Sequence, residues 1–203
     1  MRIAFNQEAF YMLRYSGIPR YITRLTEELS RLGEEAHIFA PIHRNNFLRD
    51  LPSSLVSGWY FDWRPGRHTG SLGRVNQYLA KKRIGKWTPD VVHETYYSDL
   101  GTTPPGSRTV VTVYDMIYES VGEMPGALVD HSNPLYRPGK SEARRVTEEK
   151  KKSVRRADHV ICISEETRRE LIERFEVDES MISVIYLGVD VETGENNSSS
   201  EKM

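Results

Sequence analysis

The chain has 203 residues, enough for one sizeable α/β domain. Its formal net charge of −1 excludes a global pull toward nucleic acid. A single cysteine, Cys162, excludes an internal disulfide framework and suits a reducing compartment. No apolar run approaches the ~20 residues that span a bilayer. The N-terminus, MRIAFNQEAF, lacks the apolar block of a signal peptide, so the cytoplasm is the default expectation.

Arg2 to Asn6 is a short apolar run that predicts a first strand. After a turn at Ser16 and Gly17, the residues Ile18, Ile22, Leu25, Leu29 and Leu32 recur at helical spacing. Pro19 suits a first helical turn and Gly33 a stop. EAHIFAP predicts a second strand ended by Pro41. Asn45 to Gly70 is less regular, with VSGWYF as a candidate strand. Leu72, Val75 and Leu79 predict a second long helix ending near Thr88 and Pro89.

DVVHETYY opens the next strand, and TVVTVYD is a strand rich in β-branched residues. Met116 to Lys140 holds three prolines and predicts a partly irregular excursion. Ser141 to Ala157 predicts a charged helix with a thin apolar edge at Ala143, Val146 and Val154. HVICIS is a strand, Ser164 caps the helix after it, and ISVIYL is the last strand. Residues 191–203 are polar, without apolar rhythm, and are expected to be disordered.

Strands alternate with helices throughout, and VVTV and VICI are apolar on both faces. This predicts a doubly wound, mostly parallel, Rossmann-like α/β sheet with helices on both sides. Such a sheet binds ligands outside the carboxyl ends of its strands. The residues to inspect therefore follow each strand: Asn6 onward, Pro41 to Arg44, His93 to Tyr97, Tyr114 and Asp115, and Ser164.

Each of these carries a plainer alternative. SGIPRY offers backbone N–H groups to an anion, or is an ordinary β–α turn. With only Gly17, it is not a dinucleotide fingerprint. Asp115 is a candidate acceptor for a sugar hydroxyl, or a turn aspartate. His93, Glu94, Tyr96 and Tyr97 suit a carbohydrate-sized groove. His43, His68, His93 and His131 show no metal-ligand spacing, so no metal is expected. EEKKKSVRR is a candidate for peripheral contact with an anionic membrane, although interleaved glutamates favour a solvated face.

Four pieces in this order resemble the N-terminal half of a GT-B glycosyltransferase of family 4. They are SGIPRYITRLTEELSRLG, DVVHETYY with TVVTVYDMIYE, RRADHVICISEETRRELIERF, and ISVIYLGVD. The resemblance covers roughly residues 1–190. It implies an acceptor-side domain facing a second, donor-binding domain across a cleft. It implies sugar transfer from a nucleotide-sugar, usually with retention and without a metal. Positive dipoles would meet the charge growing on the leaving diphosphate.

By the same resemblance, Gly17 and Arg20 face the donor phosphates. Asp115 matches the aspartate after the fifth strand, and Tyr114 stands where the family often has histidine; both are candidate catalytic residues. His93, Tyr96, Tyr97, Ser164 and Glu165 are candidate acceptor-binding residues. Thirteen residues after Gly-Val-Asp are too few for a donor domain, so the chain is expected to be inactive without a C-terminal partner in cis or in trans. Two other readings stay open. One is a non-catalytic binding or scaffolding module docking through Gly17, Asp115 and Ser164. The other is a free-standing nucleotide-binding protein.

Overall fold

A computed structural model describes residues 1–11, 14–62, 69–121 and 140–188. The expected tail at 191–203, the Gly-Val-Asp ending beyond Gly188, and most of the proline-rich excursion lie outside the described residues, as do Trp63, His68 and His131.

Seven strands form one sheet in the order β3-β2-β1-β4-β5-β6-β7. They are β1 (Arg2–Phe5), β2 (Glu35–His43), β3 (Val56–Tyr60), β4 (Val91–Glu94), β5 (Arg108–Val113), β6 (His159–Cys162) and β7 (Ile182–Val184). Every pairing is parallel. Among the described residues six α-helices accompany them: α1 (Glu8–Tyr11), α2 (Gly17–Arg31), α3 (Thr69–Trp87), α4 (Ile117–Val121), α5 (Lys140–Arg156) and α6 (Glu165–Phe175). This is the doubly wound α/β fold expected from the alternation. The order in which strands are added to the sheet reverses between β1 and β4, which are parallel neighbours far apart in sequence.

α2 packs on one face because Ile22 is buried beside Phe5, Phe10 and Ile38. Leu32 belongs to the predicted apolar stripe but is exposed, since the helix has already ended and Leu32 is its C-cap. The opposite face holds Ala4, Phe39, Val92 and Ile84 under α3. Val111, Val113, Val160, Cys162 and Leu171 form a further cluster under α5 and α6. Cys162 is a buried core residue whose thiol is pushed up to about 11 by burial.

Several expectations change. β2 does not stop at Pro41 but runs on to His43. The register against β3 shifts between Phe39 and Ile42, so the proline's missing N–H falls within an irregularity and costs no regular ladder bond. Gly58 answers it from β3: a Cβ there would lie 1.7 Å from the Ala40 carbonyl oxygen. The final strand stops at Val184, leaving Ile185, Tyr186 and Leu187 exposed.

In α3 the inward positions are Asn76, Gln77, Ala80 and Ile84, not Val75. Asn76 is drawn in because its side chain serves both backbone groups of Ile42. Its Oδ1 accepts from Ile42 N, and its Nδ2 donates to Ile42 O, each at 2.9 Å.

α5 is not simply a solvated charged face. Lys150 is fully buried, and Ser153 and part of Arg156 also turn inward. Along the helix Arg145 pairs with Glu149 and Lys151 with Glu148, while Arg144, Lys152 and Arg155 are exposed. Exposed Glu148 stands among these cations, so the outward side of EEKKKSVRR is of mixed charge.

Candidate functional site

The crevice of a doubly wound sheet opens where the strand order reverses, here between β1 and β4. Its floor is tied shut. Buried Asn6 accepts from Thr95 N at 2.9 Å and from Thr95 Oγ1 at 2.8 Å through its Oδ1. Ala9 N donates to Thr95 Oγ1 at 3.0 Å, which fixes α1 over the same edge. Two amide and hydroxyl side chains thus replace the ladder where β1 and β4 part.

On the β4–β5 side, tyrosines fill the strand ends. Tyr114 N donates to Tyr97 Oη at 3.2 Å, and Tyr114 Oη donates to Thr95 O at 3.2 Å. The rings of Tyr96 and Tyr97 lie 4.6 Å apart. Tyr21, in the second turn of α2, meets Tyr114 edge-on at 6.3 Å. That contact joins the start of α2 to the end of β5. Burial raises the Tyr97 and Tyr114 phenols well above their ordinary value, so both stay protonated and bridge backbone groups.

Asp115 follows directly, half-buried, with its Oδ1 accepting from Ile117 N at 3.2 Å. The turn is gripped from behind by Lys150. Its Nζ donates to Asp115 O at 2.7 Å and to Glu119 Oε2 at 2.7 Å. The same ammonium lies 5.1 Å from the centre of the Tyr97 ring. Lys150 shares the stripe of Val146 and Val154, at intervals of four residues, so its burial was encoded in spacing that its charge concealed.

The remaining candidates are placed as follows. Gly17 is exposed at the start of α2 with open space where a side chain would be. Arg20 lines a pocket of about 290 Å³ with Thr23, Arg24, Glu27, Phe47, Asp50 and Leu51. None of the other candidate residues lines that pocket. Ser164 caps α6, its Oγ accepting from Thr167 N at 3.1 Å. Glu165 is exposed and pairs with Arg168 at 3.3 Å.

His93 lies within the sheet rather than at its rim. Its Nε2 is 2.8 Å from Thr112 Oγ1, and burial lowers it to about 4, which keeps the ring neutral at neutral pH. The structure thus gathers Tyr96, Tyr97, Tyr114 and Asp115 at one edge, with α2 beside them and Ser164 at the end of the adjacent strand. His93 is left beneath.

Two acidic groups are buried or partly buried near the site, and the sequence singles out only Glu94. Glu94, fully buried, receives Arg156 through Nε at 3.0 Å and Nη2 at 2.6 Å. Burial raises the Glu94 carboxyl, and the Arg156 guanidinium opposes the rise. Half-buried Glu8, at the start of α1, is raised to about 8 by burial first and by the nearby Glu94 and Glu149 next. Gln7 donates to its Oε1 at 2.6 Å. Glu8 was not legible, because a carboxylate beside an apolar run reads as a surface charge, and Glu94, expected to face a groove, is instead buried against Arg156. No group of three or more metal-ligating side chains is present among the described residues.

The model of Glycosyltransferase Family 4 matches residues 15–193. Among solved structures, a glycosyltransferase from Rickettsia africae ESF-5 shares 16% identity at a TM-score of 0.50. The alignment covers 93% of this chain and 44% of that one. The apo form of the lipopolysaccharide outer core galactosyltransferase WaaB shares 13% identity at a TM-score of 0.54, covering 95% of this chain and 47% of that one. The chain thus spans less than half the length of either structure. A search of curated proteins returns no match.

Proposed function

The chain belongs to glycosyltransferase family 4, and from that premise we propose that it forms the acceptor-side wall of a retaining, nucleotide-sugar-dependent transferase. The observation that carries this reading is the edge made by Tyr114 and Asp115, braced by Lys150 and joined through Tyr21 to the start of α2. In this reading the Asp115 carboxylate accepts from a sugar hydroxyl. The N–H groups at the start of α2, beside Gly17 and Arg20, face the departing diphosphate. The bond from the anomeric carbon to the diphosphate breaks, the acceptor oxygen takes its place on the same face, and the acceptor's proton passes to the departing diphosphate.

Tyr96 and Ser164 border the acceptor, with Glu165 beyond Ser164. Tyr97 and His93 support the edge from below. A second domain supplies the donor site, and the exposed run Ile185, Tyr186 and Leu187 offers it an apolar surface beyond β7. Preorganised donors from one wall do not catalyse transfer alone, and losing even one commonly costs ~10²–10³ in rate. The reading includes a cytoplasmic setting, with the domain against a membrane.

The test is sugar transfer from labelled UDP- and GDP-sugars to a panel of methyl glycosides. The chain is assayed alone and mixed with a separately expressed donor domain of a family member. Transfer only in the mixture, abolished by Asp115→Asn, is the expected result. Tight donor binding by the chain alone would instead favour a free-standing nucleotide-binding protein. Stable association with the donor domain but no transfer would favour a scaffold.

A further inference from the structure

Gln7 and Glu8 follow β1 closely, at the carboxyl end of the strand where the sheet order reverses. Gln7 is 1% exposed, and its Nε2 donates to Glu8 Oε1 at 2.6 Å. The other arm of the same amide, Oε1, has no hydrogen-bond partner among the described residues. A buried acceptor without a donor is costly and rare. Amides with a purely structural task show the contrast. Asn76 uses both arms on Ile42, and Asn6 sets its Oδ1 against Thr95 and its Nδ2 against Thr102.

Glu8 is the second half of the feature. It is half-buried, so a ligand can reach it. The charged groups acting on it are Glu94 at the end of β4, Asp99 in the loop beyond, and Glu149 and Arg156 on α5, and it in turn acts on Tyr11 of its own helix. Arg156 is committed to Glu94, and Arg145 to Glu149. Glu8 forms no ion pair among the described residues. Burial first, and these carboxylates next, hold its carboxyl at about 8, so most of it is protonated at neutral pH.

We propose that Glu8 and the Gln7 carbonyl form a subsite for a protonated amine on the glycan acceptor. A primary ammonium has three N–H donors and no acceptor, so one N–H meets the Glu8 carboxylate and another meets Gln7 Oε1. It supplies the donor that the buried amide lacks and the cation that Glu8 lacks. Binding takes the proton off Glu8 to the buffer, and the carboxylate left behind pairs with the ammonium. A hydroxyl would answer Gln7 but would leave the carboxylates unopposed. A metal ion fits less well, because among the described residues no group of three or more His, Cys, Asp or Glu could hold one. The proposal rests on the acceptor-side reading for what carries the amine, whereas the subsite itself stands on the side chains named.

The full chain is titrated by calorimetry with methyl glucosides bearing an amine at the second or the sixth carbon, with their N-acetyl derivatives, and with methyl glucoside. At least one amine is expected to bind about tenfold more tightly than its N-acetyl derivative, as a charged hydrogen bond to a buried site should. Near neutral pH it releases about 0.9 proton per chain, read from the heats in buffers of differing ionisation enthalpy. Affinity rises about tenfold between about pH 6 and 7, as the ionised fraction of Glu8 does. Glu8→Gln lowers amine binding to the N-acetyl level and abolishes the proton release, which a merely structural role for Glu8 would not do. Gln7→Met weakens binding about tenfold and keeps the proton release. Circular dichroism confirms folding, and Glu8→Gln, which is isosteric, decides alone if Gln7→Met unfolds.

The proposal is overturned by no binding of either amine, by equal binding of amine and N-acetyl forms, by binding without proton release, by amine binding that survives Glu8→Gln, or by magnesium alone giving the same proton release. Transfer is read separately, in the mixture with the donor domain. Transfer to methyl glucoside as readily as to the amines sinks the subsite and leaves the transfer reading intact. Amine binding with proton release, in a mixture that transfers nothing, keeps the subsite and sinks the transfer reading.

Discussion

The Lys150 ammonium donates to the backbone oxygen of Asp115 and to the Glu119 carboxylate, both at 2.7 Å, while having no exposure to solvent. A buried ion pair of this kind adds little net stability compared with apolar residues of similar volume. Breaking it leaves an uncompensated charge. Lys150→Met is therefore expected to destabilise by about 3–5 kcal/mol in urea denaturation. Lys150→Met combined with Glu119→Leu recovers most of that loss but frees the Asp115 turn, visible as faster amide exchange at Ile117. An additive double mutant would refute the coupling.

Stability should depend on pH through two opposing contributions whose windows overlap between 4.5 and 6.5. The Glu8 carboxyl is raised from 4.5 to about 8 in the folded state. Its contribution is complete below 4.5, declines as pH rises, and is lost through about 8. Glu8→Gln should flatten this decline, whose slope reaches at most about 1.4 kcal/mol per pH unit. His43 and His93 are lowered from 6.5 to about 4, so their contribution is present above 6.5 and lost as pH falls toward 4. Denaturation midpoints across both windows, in the parent and in Glu8→Gln, test the signs.

Gly58→Ala is expected to be among the most damaging small substitutions. The added carbon would meet backbone, with Ala40 O at 1.7 Å and Ala40 C at 2.6 Å, and neither can swing aside. A loss of at least about 2 kcal/mol is expected, with β2 and β3 parting at their bulge. Gly17→Ala, where nothing lies within 4 Å, should change stability by less than about 1 kcal/mol. Thermal denaturation of the two variants makes the comparison.

Ser164 separates capping from catalysis. Ser164→Ala removes the bond to Thr167 N and should cost about 1 kcal/mol, whereas Ser164→Asp keeps a capping oxygen at the helix start. If stability is restored in Ser164→Asp while transfer by the assembled enzyme is not, the hydroxyl also meets substrate. If both are restored, the residue is only a cap.

The order of strands and long helices was legible because periodicity records burial, and the centre of this sheet is buried on both faces. The signal fails where side-chain polarity and position disagree. Asn76 faces inward because the bulge in β2 leaves Ile42 needing a donor and an acceptor, a demand arising about 34 residues upstream. Once Asn76 turns in, Val75 must turn out. Lys150 and Arg156 were hidden by their charge, and their carboxylate partners lie on α4 and at the end of β4. α1 and α4 span four and five residues, too short for a helical repeat to declare itself. At the candidate site, Asp115 and Ser164 were legible as strand-end residues. The interior position of His93 was not, because alternation alone does not tell the last strand residue from the first rim residue.

The strand order also sets a timetable for synthesis. β1 is flanked by β2 and β4, and the residues pairing with Ile3 and Phe5 on its second side are Val91 and His93. At ~5–20 residues per second, roughly 5–20 s of translation separate the emergence of β1 from that of β4. Throughout that interval the nascent chain carries an apolar strand with at least one edge unpaired, a state open to aggregation until β4 arrives.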